Sequence, residues 1–275
     1  MPTAPPTAGP KEDPMPQPVK PVVVKGTPIG AGRPKIVVSV TGGTSGALLE
    51  QVAALAGHDV DIVEWRVDHF GELADPDAVL AAARELAAHL PDTPLLVTCR
   101  TSAEGGEAEI SADAYGTLNA TLAESGLVDL VDVEYGRDGT AVERILAAAR
   151  AHGVPVVASY HDFGKTPARE EIVARLRAMQ DAGFDICKIA VMPHSAADVL
   201  TLLEATRAMH EEHADRPLIT MSMGPLGLVS RLAGGLFGSA ATFGMVGAAS
   251  APGQAPVDEL SAALRLLDAG ASVPA

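Results

Sequence analysis

Aromatic residues are scarce in this chain of 275 residues and make up only 3% of it. Hydrophobic residues still account for 47%, so a core must be built mainly from alanine, valine, leucine and isoleucine. No apolar run approaches the roughly 20 residues that a membrane helix needs, and the first residues do not resemble a signal peptide. These absences predict a globular protein with a cytoplasmic location.

Basic residues are also few, with 20 Lys and Arg against 35 Asp and Glu, for a formal net charge of -15. A nucleic-acid or membrane-surface partner would require a basic patch, so neither is expected. A small anionic substrate is still compatible, because a few arginines can set the field of a cleft. The only two cysteines, Cys99 and Cys187, lie in apolar runs, which suits a reducing compartment.

After a proline-rich stretch, strand-like and helical patterns alternate along the chain. Residues 1–20 have no periodicity and predict a disordered tail, whereas residues 21–275 predict a single domain that opens with a short hairpin. The predicted strands cover residues 35–40, 61–67, 94–100, 128–134, 155–160, 186–191, 217–223 and 240–246. The clearest predicted helices cover residues 75–90, 140–152, 167–182 and 195–210, with capping start signals at Asp75, Thr166 and Ser195.

Eight such units within about 240 residues match an α/β fold of the (β/α)8 TIM-barrel type. The alternative is an open, doubly wound sheet. The stretch after the first strand, residues 41–46, is rich in glycine, but it lacks both the Gly-x-Gly-x-x-Gly spacing and the P-loop lysine. The barrel is therefore the favoured architecture.

Polar residues recur at intervals of two near the ends of these strands, which places them on one face of each strand. The set comprises Ser39, Glu64, Arg66, Asp68, Thr98, Arg100, Asp132, Glu134, Ser159, His161 and Lys188. Barrel active sites form at the carboxyl ends of the strands, so this face predicts an active site. Asp68 and Asp132 are expected to be structural ion-pair partners within it.

Lys188 lies in the middle of a short apolar run that ends at Pro193. A lysine at such a position must find a carboxylate, reach water or lose its proton, and the deprotonated amine can form a Schiff base with a ketone or aldehyde. His161 is either structural or an acid–base group opposite that lysine. No metal site is expected, because further ligands at suitable spacing are missing.

Seven ordered motifs, one of them in two parts, extend this set along most of the chain. They are Glu64-Trp65-Arg66-Val67-Asp68, Thr98-Cys99-Arg100 with Glu104-Gly105-Gly106-Glu107, Ser159-Tyr160-His161-Asp162-Phe163, Lys188-Ile189-Ala190, Ser222-Met223-Gly224, Ser230-Arg231-Leu232-Ala233-Gly234 and Ala249-Ser250-Ala251-Pro252-Gly253-Gln254. Together they resemble the type I 3-dehydroquinate dehydratase family, the Schiff-base enzymes of the shikimate pathway. The resemblance implies a barrel whose floor is closed by the hairpin, a homodimer, and no metal or organic cofactor.

The resemblance also implies roles for individual residues in the dehydration of 3-dehydroquinate to 3-dehydroshikimate. Lys188 forms the imine, His161 moves the protons, and Glu64 supports His161. Arg231 binds the substrate carboxylate, and Ser250 and Gln254 belong to a loop that closes over the site. The implied substrate-binding residues are Ser39, Glu64, Arg66, Arg100, Glu104, Met223, Arg231, Phe243, Ser250 and Gln254.

Three positions depart from the family pattern, namely Cys187, Pro225 and Gly235. Cys187 is expected to point away from the barrel axis, and Gly235 lies outside the motif positions, so neither threatens the chemistry. Pro225 is expected to affect the loop after the seventh barrel strand. Two other functions are compatible with the residues, a class I aldolase-type Schiff-base barrel and a non-catalytic barrel that binds a polyhydroxy acid.

Overall fold

The computed structural model describes residues 19–271, with side chains through Asp268. Most of the predicted disordered tail, residues 1–18, lies outside the described residues. The last two residues of the predicted tail contact the barrel, since Val19 packs against the core and the backbone N–H of Lys20 donates to the Asp215 carbonyl at 2.9 Å.

The predicted hairpin is present and lies at the amino-terminal end of the barrel. Strands β1 (Val22–Val24) and β2 (Thr27–Ile29) pair in antiparallel register. Val24 and Ile29 join a cluster of axial side chains from the starts of the barrel strands. Lys25 in the turn reaches Asp129 at 2.8 Å, which ties the hairpin to the barrel and closes its floor.

The eight predicted strands are all present and parallel, and each pairs with its neighbour in chain order. They are β3 (Lys35–Val40), β4 (Ile62–Arg66), β5 (Leu95–Thr98), β6 (Leu130–Glu134), β7 (Val156–Asp162), β8 (Ile186–Val191), β9 (Leu218–Ser222) and β10 (Ala241–Met245). The ring closes where the Ala240 N–H donates to the Leu218 carbonyl at 2.6 Å, and the two-residue strand β11 (Ala255–Pro256) extends β10. The (β/α)8 barrel is confirmed.

Eight helices surround this barrel in the described part of the chain. They are α1 (Ser45–Ala54), α2 (Pro76–His89), α3 (Ala112–Glu124), α4 (Gly139–His152), α5 (Arg169–Asp181), α6 (Ala196–Glu212), α7 (Leu228–Ala233) and α8 (Val257–Ala271). The predicted starts at Asp75 and Ser195 are confirmed, and Ser195 forms a capping box with Asp198. The predicted start at Thr166 is wrong, because its hydroxyl donates to the Met192 carbonyl and the helix begins at Arg169.

Because side chains alternate along each strand, one set packs between the strands and the helices and the other points to the barrel axis. Val63 and Trp65 pack outward against the helices, whereas Glu64 between them points to the axis. Cys99 and Cys187 are free, buried and part of the outward-facing core, and burial raises the pKa of each thiol to about 12. Cys187 thus faces away from the axis as predicted. No helix within residues 19–271 combines the length and apolarity of a membrane span.

Candidate active site

The polar faces of the strands meet in one cavity at the carboxyl ends of the barrel. All twelve site residues predicted from the sequence line it: Ser39, Glu64, Arg66, Arg100, Glu104, His161, Lys188, Met223, Arg231, Phe243, Ser250 and Gln254. Those that lie on strands share this position because every second residue of a barrel strand faces the axis and parallel strands end at the same rim. Loops and α7 supply the others, among them Glu104, Arg231 and Gln254.

Lys188 lies in the middle of β8 and is almost completely buried. Its Nζ is 3.3 Å from Asp132 Oδ2 and 3.9 Å from Glu64 Oε1, and it lies 4.6 Å from the centre of the Phe243 ring. The sequence left three possibilities for this lysine, namely a carboxylate partner, access to water or loss of its proton. The structure shows a carboxylate partner. The nitrogen also lines the cavity, so an entering carbonyl group can reach it.

Glu64 is held on β4 by hydroxyl groups from its two neighbouring strands. Thr98 donates to Oε1 at 2.8 Å, and Ser39 donates to Oε2 at 2.5 Å. These bonds turn the carboxylate towards Lys188. The predicted support of His161 by Glu64 is not the arrangement in the structure, because the carboxylate bonded to His161 belongs to Glu104.

His161 lies near the end of β7, and Glu104 reaches it from the loop after β5. One oxygen of Glu104 accepts the backbone N–H of His161 at 3.1 Å and lies 2.9 Å from ring Nδ1. The Phe163 ring stacks beside the imidazole, with centroids 6.4 Å apart. Nε2 has no hydrogen-bond partner among residues 19–271, which leaves it free for a substrate.

Burial acts on both members of this pair. It raises the pKa of Glu104 to about 8, an effect that the nearby Arg100 opposes. Burial also lowers the pKa of His161 well below its ordinary value, helped by the positive charges of Arg100, Lys188 and Arg66. The imidazole is therefore uncharged near neutral pH, when Glu104 still retains a proton.

Arg100 is a buried cation surrounded by acceptors. It donates to Asp132 at 2.6 Å, to Ser159 at 2.9 Å and to Glu134 at 3.3 Å. Burial alone would lower the pKa of this guanidinium, but Asp132 and the neighbouring carboxylates raise it above its ordinary value. Glu134 also accepts the N–H and the hydroxyl of Thr101. This network fixes the start of the loop that carries Glu104.

Arg66 forms a two-pronged ion pair with Asp68, at 2.8 and 2.7 Å. Asp68 also accepts the backbone N–H groups of Arg100 and Glu107. Burial would raise the pKa of this carboxyl, but Arg66 and these N–H groups outweigh burial and lower it. These contacts support the structural role that the sequence predicts for Asp68.

Arg231 from α7 is buried, and no carboxylate among the described side chains forms an ion pair with it. Its Nη2 donates to the Pro252 carbonyl at 3.0 Å, and Nη1 lies 3.5 Å from the Met221 sulfur. Nε has no hydrogen-bond partner in the described residues, and burial lowers the pKa of Arg231 to about 10. Such a guanidinium is suited to a bidentate anion that enters the cavity.

The loop after β10 lies across the mouth of this cavity. The Pro252 carbonyl accepts the N–H of Gly224 at 3.1 Å, and Ser250 and Gln254 hydrogen-bond to each other. Gly253 has a φ of 78°, and a Cβ there would come within 2.3 Å of the Gly224 carbonyl oxygen. Only glycine allows this close approach of the two loops.

Sequence reasoning missed several residues that the structure brings to the site. Asp132 was assigned a structural role, although its position two residues before Glu134 places it on the axial face. Phe163 could have been found from its spacing of two from His161. Pro252 contributes a backbone carbonyl, for which no sequence signal exists. Within residues 19–271, no three His, Cys, Asp or Glu side chains are grouped as metal ligands.

Comparison with known proteins agrees with this geometry. The family model for type I 3-dehydroquinase matches residues 36–271. A 3-dehydroquinate dehydratase from Shigella dysenteriae is 52% identical over 249 residues, which cover 90% of this chain and 99% of that relative. A crystal structure of the Clostridium difficile type I enzyme with covalently modified comenic acid is 46% identical, with a TM-score of 0.89 over 92% of this chain and 99% of the other.

The Geobacillus kaustophilus 3-dehydroquinate dehydratase is more distant in sequence but similarly close in structure. It is 37% identical and has a TM-score of 0.88, over 91% of this chain and 97% of the other. These matches extend over nearly the full length of each relative and over the motifs that line the cavity. The chain belongs to the type I 3-dehydroquinase family.

Proposed function

We propose that this chain removes water from 3-dehydroquinate to give 3-dehydroshikimate, as a hydro-lyase of the shikimate pathway, with Lys188 as the Schiff-base residue. The observation that carries the proposal is the cavity that Lys188, His161 and Arg231 share. It contains a buried amine, an uncharged imidazole and a guanidinium that has no ion-pair partner among the described side chains. These groups match a substrate that has a ketone, an acidic C–H group beside it and a carboxylate.

In the proposed mechanism, Lys188 attacks the C3 ketone of the substrate and forms an iminium. The positive nitrogen acidifies the neighbouring C2 hydrogen, which His161 removes through Nε2. The same imidazole then gives this proton to the departing C1 hydroxyl group, so one residue on one face of the ring serves both steps. Support comes from the free Nε2 and from the lowered pKa of His161, which keeps the base uncharged.

The other lining residues are proposed to hold the substrate. Arg231 binds its carboxylate, because its guanidinium is desolvated and has no anionic partner in the described residues. The polar groups proposed to contact the hydroxyls are Ser39, Glu64, Arg66, Arg100 and Glu104. Met223 and Phe243 form apolar walls, and Ser250 and Gln254 contact the substrate from the loop above the mouth.

Borohydride reduction tests the proposed function directly. The protein is incubated with 3-dehydroquinate and borohydride, and then mapped by peptide mass, while enone absorbance follows turnover without borohydride. We expect a substrate-derived mass on Lys188 and loss of activity, with Lys165, an exposed lysine, as the internal control. Turnover without a trapped lysine would contradict the Schiff base. An aldolase-type barrel would instead cleave a carbon–carbon bond, and a binding protein would give no turnover.

We also propose that the protein is a homodimer. Leu226, Val229 and Leu236 are 53%, 48% and 58% exposed, and they follow one another closely after β9. Helix α6, which carries the exposed Leu200, contacts the same segments. Sedimentation should show a dimer that a Val229→Asp, Leu236→Asp double variant converts to a monomer, whereas Val23→Asp at the barrel floor should not. A monomeric wild-type protein would exclude this assembly.

The remaining proposals concern location and domain organisation. A cytoplasmic location is supported by the two buried cysteines, which are both unpaired. A single catalytic domain over residues 21–275 is supported by the described part of that range, in which the hairpin, the barrel and α8 share contiguous cores. Fractionation of cells and limited proteolysis would test these two proposals.

A further inference from the structure

Asp132 on β6 is completely buried, and its two oxygens have different partners. Oδ1 accepts hydrogen bonds from Arg100 at 2.6 Å and from Ser159 at 2.7 Å. Oδ2 lies 3.3 Å from Lys188 Nζ. One oxygen of this carboxylate therefore anchors the network, while the other is directed at the reacting nitrogen.

Few other groups balance charge around that nitrogen. Glu64 is farther away, at 3.9 Å, and its oxygens already accept from Thr98 and Ser39. Burial would raise the pKa of Asp132, but Arg100, Lys188 and Ser159 together lower it. Asp132 is thus a fixed negative charge next to the amine.

We propose that Asp132 is the counterion of the Lys188 nitrogen through the covalent stages of the reaction. This is a charge-balancing and positioning role, and it rests on the proposed function. It differs from the purely structural role that the sequence suggested for Asp132. The carboxylate acts through Lys188, because Asp132 is not one of the residues that line the cavity.

The charge on the nitrogen changes at each covalent step. The amine of Lys188 forms the C3–N bond, the carbonyl oxygen leaves as water, and one proton taken up from the solvent makes the resulting iminium positive. When His161 takes the C2 proton, the C–H electrons form a C2–C3 double bond and the nitrogen becomes neutral. The lone pair of the nitrogen then forms the C3–N double bond again, and the C2–C3 electrons move to form the C1–C2 double bond. The C1 hydroxyl leaves as water with the proton from His161. Nothing is oxidised, and the nitrogen is positive again.

A fixed carboxylate favours the two positive states over the neutral one between them. In a buried site such an interaction is much stronger than in water. Asp132 should therefore favour formation of the imine, oppose removal of the C2 proton, and assist departure of the hydroxyl group. This role can therefore be recognised from the relative rates of C2 proton removal and hydroxyl departure.

Arg100 does not depend on Asp132 alone. Its Nη1 also lies 2.9 Å from Ser159, 3.3 Å from Glu134 and 3.5 Å from Glu104. Without the Asp132 charge, Glu64 would be the one carboxylate within 4 Å of Lys188 Nζ in the part of the chain that the structure describes. The nearly isosteric substitution Asp132→Asn removes the negative charge beside both cations, but Arg100 keeps Glu134 and Glu104 as carboxylate partners whereas Lys188 keeps the more distant Glu64.

The test measures the primary isotope effect on turnover of C2-deuterated 3-dehydroquinate, together with deuterium uptake at C2 of unreacted substrate in D2O. For Asp132→Asn we expect kcat to fall by about 100-fold, similar to the loss of one transition-state contact. The isotope effect should fall towards one and deuterium uptake should rise, because hydroxyl departure becomes the slow step and proton removal becomes reversible.

Ser159→Ala is the matched control. It removes a hydrogen bond to Oδ1 but leaves Oδ2 facing Lys188, so its isotope effect and deuterium uptake should match those of the wild type. Thermal unfolding confirms that each variant folds, and Asp132→Ser replaces Asp132→Asn if the latter does not. A slower variant with a wild-type isotope effect and wild-type uptake would overturn the counterion role. Absence of a trapped wild-type adduct would instead overturn the proposed function.

Discussion

One oxygen of Glu104 contacts both the backbone N–H and the ring Nδ1 of His161, at 3.1 and 2.9 Å. When Glu104 is ionised, this oxygen accepts from Nδ1–H and leaves Nε2 as a free base. When Glu104 carries a proton, it can donate to Nδ1 and place the ring hydrogen on Nε2. The protonation of Glu104 thus selects the tautomer of the imidazole.

The first prediction concerns the pH dependence of kcat. Because burial raises the pKa of Glu104 to about 8, the basic tautomer is scarce below that pH, and kcat should rise through a midpoint of about 8. In Glu104→Gln, the amide oxygen accepts both N–H groups at every pH, so this limb should disappear. Any remaining rise should lie at lower pH, where His161 titrates. Glu107→Gln, an exposed position nearby, is the control, and an unchanged midpoint in Glu104→Gln would contradict the tautomer role.

The second prediction concerns His161 itself. His161→Ala should still form an imine with Lys188 that borohydride traps, because the lysine is held by Asp132 and Glu64. Its kcat should fall by about 10²–10⁴-fold, the usual contribution of a general acid–base group. His194→Ala, in an exposed loop, should turn over like the wild type. A near-normal kcat in His161→Ala would move the base elsewhere, with Glu64 as the first residue to test.

The third prediction concerns recognition of the substrate carboxylate. Arg231→Ala should raise KM by roughly 10- to 100-fold, the effect of losing a hydrogen bond to a charged group. Arg231→Lys should recover only part of this loss, because a point charge replaces a bidentate guanidinium. Steady-state kinetics measure both variants beside Arg144→Ala on the outer surface of α4. A wild-type KM in Arg231→Ala would exclude the assignment.

The fourth prediction concerns the loop above the cavity. Gly253→Ala would place a Cβ within 2.3 Å of the Gly224 carbonyl oxygen, so the loop could no longer dock and KM should rise several-fold. Gly247→Ala is the matched control, because Gly247 also has a positive φ but nothing lies within 4 Å of its Cβ position. Hydrogen exchange over residues 248–254 should slow on ligand binding in the wild type and in Gly247→Ala, but less in Gly253→Ala. Equal protection in both variants would argue against docking.

Much of this protein could be predicted from the order of its residues. A period of two along β4 is enough to send Glu64 to the axis and Trp65 to the helices, because a strand alternates its side chains. The position of Lys188 within an apolar run likewise required burial near the axis. These features are local, since a few neighbouring residues specify them.

Other features depended on which distant segments the barrel brings together. Glu104 and His161 are 57 residues apart, and a carboxylate in a loop does not indicate which histidine it will meet. Thr166 lost its predicted capping role to a contact with Met192, and the Pro252 carbonyl reached Arg231 through the path of its loop. Alternation determines the face of a side chain within its own strand. Its partner across the cavity is determined by the closure of eight strands and their loops, which no local pattern contains.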